Sequence, residues 1–285
     1  MRVAVDSKID DLGFTLKPRR SRRIKSTKVS DLCFADDIAL ISDEIWQAQE
    51  QLKNVEVEAI KVGLNVNGKK TELMAFNQEY LIPVKSINDV EIKQVDNFKY
   101  LGGWLKSTES DIDIRLARAW SVCHRLNKIW KSTMKKELKI HVFLSTVESV
   151  LLYNASTWTL TKQLSRRIDG SYTKMLRMAL NVHWVQHMTN AELYGNLPRV
   201  SFKIAEQRLR ISGHCVRHPE EMASELILWE PTQGTRSRGR QRTTFIDCIK
   251  FDTGLDDTKD IKTAMEDQKL WRSFVKIARS GDHPK

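Results

Sequence analysis

Residues 31–41 read Asp31-Leu32-Cys33-Phe34-Ala35-Asp36-Asp37-Ile38-Ala39-Leu40-Ile41, so that two short apolar runs flank a pair of adjacent aspartates. This pattern predicts a β-hairpin with both acids at its tip. A two-residue connection needs side chains that tolerate a positive φ, and in one interpretation Asp36 and Asp37 serve only as such turn formers. In the other interpretation the two carboxylates, which repel each other, are neutralised by a cation, and their hard oxygen atoms suit Mg²⁺.

The flanking sequence predicts a mixed region followed by helices. Residues 42–62 have an amphipathic helical pattern that ends at Gly63, and short apolar runs at 64–76 and 90–105 predict further strands. Beyond residue 105 the apolar residues recur at steps of three and four, which predicts helices. The first has Ser110 and Asp113 in capping-box spacing and the stripe Ile112, Leu116, Trp120, Cys123, Leu126 and Trp130. We interpret this stripe as core, and we expect further helices at 138–153, 164–180 and 200–216.

The chain is basic, and its charge is concentrated in two segments. Its 285 residues include 47 Lys and Arg against 36 Asp and Glu, which leaves a formal net charge of +11. Pro, Gly and Ser interrupt both segments, so they predict solvent-exposed loops. A charge run can be a solvated surface, but two of them in a basic chain favour contact with nucleic acid phosphates. These residues are Arg19, Arg20, Arg22, Arg23, Lys25 and Lys28 in the first segment, and Arg236, Arg238, Arg240 and Arg242 in the second.

Several protein classes are disfavoured by the sequence. There is no apolar run near twenty residues and no signal-peptide pattern at the start, so we expect an intracellular protein, nuclear or cytoplasmic, with no membrane partner. Four cysteines without a CxxC pair predict free thiols. His183 with His187, and His214 with Cys215 and His218, have spacings that zinc could use, but no CxxC pair completes either set, so zinc is disfavoured.

Three motifs between residues 34 and 104 resemble reverse transcriptases. Phe34-Ala35-Asp36-Asp37 is similar to the aromatic-x-Asp-Asp box of the polymerase palm, and residues 63–72, GLNVNGKKTE, are similar to the segment that follows it. Phe98-Lys99-Tyr100-Leu101-Gly102-Gly103-Trp104 is similar to the hairpin that grips the primer strand. Their order, with the basic C-terminal residues, resembles retrotransposon enzymes that lack long terminal repeats, especially the RTE-like kind.

The resemblance implies a function and a set of site residues. Asp36 and Asp37 would hold part of a two-metal Mg²⁺ site and, with Lys70 near the nucleotide phosphates, would act in RNA-directed DNA synthesis. Lys70 could equally be a solvated lysine after a turn. Tyr100, Leu101, Gly102 and Gly103 would grip the primer, and Arg115 and Arg118 would contact nucleic acid from the first helix. The partners would be an RNA template, a DNA primer and, in the complete enzyme, a deoxynucleoside triphosphate.

The implied fold is α+β with four regions. These are a basic lead-in at 1–28, a partial palm at 29–105, a helical thumb at 106–220 and a basic extension at 221–285. The family places a third carboxylate and the fingers upstream of the aspartate pair, and Asp6 is a poor match to that carboxylate. We therefore expect a fragment that is inactive by itself, with an unpaired sheet edge and an uncovered apolar helix face that promote association. The alternative is a non-catalytic nucleic-acid-binding module.

Overall fold

The computed structural model describes residues 12–17, 27–76, 82–230 and 242–281. These residues belong to two units, which meet in sequence between Lys106 and Ser107. The first unit is built from small sheets and one long helix, and the second from helices. This mixture agrees with the expected α+β class.

Short antiparallel pairs and one helix form the first unit. Its elements are β1 (Phe14–Lys17), β2 (Thr27–Val29), β3 (Asp31–Phe34), β4 (Asp37–Leu40), α1 (Ile45–Lys61), β5 (Glu72–Leu73), β6 (Lys93–Gln94), β7 (Lys99–Tyr100) and β8 (Gly103–Trp104). Strands β1 and β2, β3 and β4, and β7 and β8 pair antiparallel, whereas β5 and β6 pair in parallel. Among the described residues each sheet therefore has two strands.

Helix α1 packs through one narrow face. Leu52 is buried against Val84 and Ile92, and among the described residues this cluster is small. The same helix buries Gln47, Gln51 and Glu56, because their side chains bind backbone groups beside them. The expected apolar face is therefore correct only in part.

The first unit leaves large apolar side chains in water. Phe34 in the hairpin is 63% exposed, and Trp46 on α1 is 59% exposed. The same holds for Leu32 and Ile38 in the hairpin, and for Val57, Ile60 and Val62 in or next to α1. Val62 lies in the predicted apolar stripe, yet it is exposed.

The second unit is helical, with short 3₁₀ turns at Ala155–Thr157 and Trp184–Gln186 in addition to its other elements. Those other elements are α2 (Thr108–Arg125), α3 (Asn127–Trp130), α4 (Lys136–Phe143), a π-turn (Leu144–Glu148), α5 (Ser149–Leu151), α6 (Lys162–Ala179), α7 (Asn190–Tyr194), α8 (Val200–Val216), α9 (Met222–Leu226), α10 (Phe245–Thr253), α11 (Thr258–Glu266) and α12 (Gln268–Ser280). Helix α8 has the bounds expected from the sequence. The expected helix at 138–153 is a run from α4 through the π-turn to α5.

Helix α2 begins one turn earlier than its sequence suggests. Ser107 is the N-cap, and its side chain accepts a hydrogen bond from the amide of Ser110. Ser110 therefore lies inside the helix, because the serine three residues before it already satisfies the first free amide groups. The predicted stripe is core: Ile112 and Cys123 are buried, and Trp130 donates from Nε1 to the carbonyl of Cys123 at 2.8 Å.

The C-terminal helices belong to the second unit, whereas the sequence predicts a separate extension from residue 221. Trp271 on α12 is buried against α8 and donates from Nε1 to the carbonyl of Leu209 at 2.7 Å. Gly213 makes this packing possible, because a Cβ there would lie 2.3 Å from the Trp271 ring. Arg208 on α8 forms a buried ion pair with Asp252 on α10. Extensive packing, which charge composition does not reveal, thus joins this region to α8.

The described helices include none that is both long enough and apolar enough to cross a membrane.

Candidate functional site

The aspartate hairpin differs from its expected geometry at the tip. Phe34 pairs with Asp37, so the connection consists of Ala35 and Asp36, and Asp37 is the first residue of β4. Ala35 has a φ of +53°, and neither aspartate has a positive φ. Left-handed backbone is unfavourable for an alanine by roughly 1 kcal/mol. Asp36 therefore remains a turn residue, whereas Asp37 lies in a strand, and the residue in the left-handed region is Ala35.

Both acids are exposed to solvent at one end of the hairpin. The opposite end is fixed by Gln51, which is 5% exposed. Its Nε2 donates to the carbonyls of Ser30 and Ile41 at 3.2 and 3.1 Å, and the amide of Ile41 donates to Ser30 at 2.8 Å. Helix α1 thus holds the base of the hairpin and leaves its tip in water.

The sequence analysis did not identify Gln51 as a site residue. The only sequence signal is its place next to Leu52 on the helix, which puts a long amide side chain beside the apolar stripe. That signal says nothing about the two carbonyls that the amide binds.

The second predicted hairpin lies next to the first. Leu101 and Gly102, with φ values of +46° and +83°, form the turn between β7 and β8. Tyr100 donates from its hydroxyl to the carbonyl of Leu32 at 3.1 Å. Burial raises the pKa of Tyr100, and negative charge on Cys33 and Asp37 raises it further. The structure therefore brings the aspartate hairpin and the primer-grip-like hairpin into contact.

Lys70 is not joined to this pair of hairpins. Its amide donates to the carbonyl of Asn67 at 2.9 Å in a turn, and its side chain is exposed. In the part of the chain that the structure describes, no ion pair links Lys70 to Asp36 or Asp37.

The donor set fits Mg²⁺ in kind but not in number. Across residues 12–17, 27–76, 82–230 and 242–281, no group of three His, Cys, Asp or Glu side chains could hold a metal ion. Asp31, the third acid of the hairpin, lies at its other end and accepts hydrogen bonds from Ser30 and Cys33. Asp36 and Asp37 could therefore supply only part of a metal site.

The structure corrects one of the predicted nucleic-acid contacts. Arg115 is 4% exposed, lies 3.8 Å from Asp111 and stacks over the ring of Tyr153 at 4.5 Å. Burial lowers the pKa of its guanidinium. Arg115 is thus part of the second unit's interior. Asp111, one turn earlier on α2, and Tyr153, which follows α5, enclose its side chain.

The other predicted contacts have mixed outcomes. Arg118 and Arg242 are exposed, and Lys28 is half-buried in β2. The remaining predicted site residues, together with Asp6, lie outside the described residues; they are Arg19, Arg20, Arg22, Arg23, Lys25, Arg236, Arg238 and Arg240.

The histidines make local contacts. His183 caps the short turn Trp184–Gln186, and His187 follows it with a φ of +48°. The rings of His214 and His218 lie 4.4 Å apart, and His218 contacts Glu220 at 3.0 Å.

Comparison with known proteins shows a family similarity in the first unit. Residues 14–105 match the family of reverse transcriptases (RNA-dependent DNA polymerases). The reverse transcriptase match contains both contacting hairpins and Lys70, and it ends one residue before the first unit does.

The similarity to a second protein extends over both units. An uncharacterized transposon-derived protein of Caenorhabditis elegans is 22% identical over 274 residues, which cover 89% of this chain and 98% of the worm protein. No solved structure matches the chain. The similarity to reverse transcriptases therefore rests on sequence. The helical second unit is similar in sequence to part of a transposon-derived protein.

Proposed function

We propose that the first unit is part of the palm of a reverse transcriptase from a retrotransposon without long terminal repeats, of the RTE-like kind. In this proposal Asp36 and Asp37 are two of the carboxylates that hold Mg²⁺ for nucleotidyl transfer. The hairpin of Tyr100 to Gly103 holds the primer end, and Lys70 reaches the nucleotide phosphates. The second unit acts as the thumb on the primer and template.

The contact between Tyr100 and Leu32 carries the proposal. It joins the aspartate hairpin to the primer-grip-like hairpin, although their motifs lie far apart in the matched segment. In the family one hairpin holds the metal and the other holds the primer end, so the two must be neighbours. The left-handed backbone of Ala35 adds to this, because residues held in sparsely populated backbone conformations occur more often at functional sites.

The described residues do not complete the metal site, so we propose that this chain does not synthesise DNA alone. Polymerase chemistry of this type requires at least one further carboxylate, and two ligands bind Mg²⁺ weakly. The alternative function is a nucleic-acid-binding module without chemistry, which the exposed basic residues would also serve.

Metal binding at the hairpin tip separates these two functions. Mn²⁺, a paramagnetic stand-in for Mg²⁺, is titrated while the backbone amide signals of residues 31–41 are followed by NMR. We expect broadening centred on Asp36 and Asp37 at roughly millimolar Mn²⁺, comparable to weak carboxylate sites. The double variant Asp36→Asn/Asp37→Asn should lose it, and the matched variant Asp31→Asn should keep it.

The result is read together with primer extension on an RNA template. Broadening that is equal in both variants, or absent in the native chain, would contradict the proposed metal role and favour the binding module. Extension product from the native chain that Asp36→Asn abolishes would overturn the proposed inactivity while supporting the catalytic role.

A further inference from the structure

A cationic groove crosses the surface of the second unit. It has a volume of ≈ 810 Å³ and is lined by α6, α7, the start of α8 and α12. Arg166, Arg199, Lys276 and Arg279 lie along it, and among the described residues of its lining the only carboxylate is that of Asp169. We propose that this groove binds the phosphodiester backbone of a nucleic acid.

The single carboxylate in the groove is already engaged. Asp169 accepts hydrogen bonds from the amide of Ser201 at 3.0 Å and from its hydroxyl at 2.8 Å. These bonds satisfy the first turn of α8 and fix the negative charge there. Asp169 therefore holds α6 against α8, and its single negative charge offsets only part of the positive charge of the four cations in the lining.

Three of the four cations are available to a ligand. Among the residues that the structure describes, no carboxylate forms an ion pair with Arg166, Arg199 or Lys276, and all three are exposed. Arg279 lies 3.4 Å from Glu206, which Arg210 contacts at 2.7 Å. Four like charges around one groove repel each other, and a ligand with repeating negative charge would relieve that repulsion.

Uncharged hydrogen-bonding groups lie between the cations. Tyr194 and Thr173 share a hydrogen bond of 2.9 Å, and burial raises the pKa of Tyr194, so it remains a neutral hydroxyl. Asn190 accepts from Arg177 through its oxygen, which leaves its amino group to donate. Contacts to nucleic acid phosphates are made by this mixture of Arg and Lys with Ser, Thr, Asn and Tyr.

The phosphate chemistry follows from the groove alone. The choice of nucleic acid over an acidic peptide rests on the proposed function, because the first unit matches a family that works on nucleic acid. The groove is also separate from the two arginine-rich segments of the sequence, since every cation named here lies on a described helix or at its cap.

The test compares two charge-matched double variants. Arg199→Gln/Lys276→Gln removes two groove cations, and Lys259→Gln/Lys262→Gln removes two exposed lysines of α11. Binding of labelled single-stranded RNA and of duplex DNA is measured by fluorescence anisotropy from 50 to 300 mM salt. We expect the groove variant to lose about tenfold in affinity and the α11 variant less than about twofold.

The salt dependence gives a second readout. Loss of two phosphate contacts should make the slope of log affinity against log salt shallower by about 1.8 for duplex DNA and about 1.4 for a single strand. A loss of affinity in the groove variant alone, for either nucleic acid, supports the proposed groove. Equal losses in the two variants would reduce the effect to net charge and overturn the proposal, as would equally tight binding of a polyglutamate peptide.

This outcome is independent of the aspartate hairpin, because the groove residues all belong to the second unit and the binding measurement needs neither metal nor synthesis. The groove can therefore be confirmed when the proposed metal role fails, and refuted when that role holds.

Discussion

The two units differ in two properties: one matches a known protein family, and the other has the larger buried core. The first unit contains the residues that match the reverse transcriptase family, yet the buried cluster among its described residues is small, and its hairpin and helix leave large apolar side chains in water. The second unit lies outside that family match, yet it has two buried clusters that extend through most of its helices. The comparison shows that recognisable motifs and self-sufficient packing can occupy different parts of one chain.

The physical consequence is a difference in local stability. Full burial of a side chain such as Phe34 or Trp46 is worth about 1.5–3 kcal/mol, and the first unit does not gain it. A partner surface that covered Phe34 and Trp46 would stabilise the first unit far more than the second. Without such a partner, we expect the first unit to unfold locally before the second and to promote association of the protein.

A pair of tryptophan variants tests the comparison with the largest expected effect. Trp271→Ala removes a buried ring from the second unit and should lower the free energy of unfolding by about 3–5 kcal/mol. Trp46→Ala removes an exposed ring from the first unit and should change it by less than about 0.5 kcal/mol. Urea denaturation followed by circular dichroism at 222 nm measures both. Similar losses in the two variants would mean that the units are equally packed.

A smaller effect is expected from Gln51→Leu in the first unit. The variant loses two hydrogen bonds to the base of the hairpin, and the net cost should be about 1 kcal/mol. Hydrogen exchange of the Ile41 amide should then become about fivefold faster, while amides of the second unit keep their rates. Glu50→Gln, which alters an exposed neighbour, serves as the control. An unchanged rate at Ile41 would show that the hairpin does not depend on α1.

The smallest effect concerns the cysteines. Cys33 in the first unit is exposed, whereas Cys123, Cys215 and Cys248 in the second are buried. Burial raises the pKa of the Cys33 thiol, and the hydrogen bond and charge of Asp31 raise it further. Burial raises the pKa of Cys123 to about 11. Because the thiolate is the reactive form, alkylation of native protein should modify Cys33 alone and should keep accelerating above the pH at which an unstructured cysteine levels off.

Asp31→Asn provides the matched variant for this prediction. It removes the charge that raises the pKa of Cys33, so alkylation near pH 8 should become about two- to threefold faster. Rapid native alkylation of Cys123 would show that the second unit opens as readily as the first. Peptide mass spectrometry distinguishes the four sites.

Local sequence patterns predicted much of the fold. The aspartate hairpin, helix α1 and helix α8 follow from apolar periodicity and from Gly63 and Pro198 at element boundaries, which are short-range signals. The remaining features depend on contacts between distant residues. In the sequence Arg115 resembles a surface arginine, and only the fold shows that Tyr153 covers it. The left-handed backbone of Ala35 follows from the register of β3 and β4, which the alternation of apolar and polar residues does not determine.

The candidate site was predictable to a similar extent. Motif similarity placed Tyr100 and Asp37 in one function, but only folding shows that their hairpins touch. The groove of the second unit has no continuous sequence signal at all. Its cations Arg166, Arg199 and Lys276 come from three helices, and each by itself looks like an ordinary solvated charge.

The π-turn between α4 and α5 constrains how this chain can vary in length. The buried residues Phe143, Val147 and Leu151 recur every four positions, a spacing that drifts around a regular α-helix and that the wider turn keeps on one side. Deleting one residue, such as Ser145, would leave Phe143 and Leu151 seven positions apart, a spacing that an ordinary α-helix keeps within about 20° of one face. Among related chains, a deletion of one residue in this run should therefore convert the π-turn to an ordinary α-helical turn and leave Leu151 in the core, whereas a deletion elsewhere in these helices should not be tolerated.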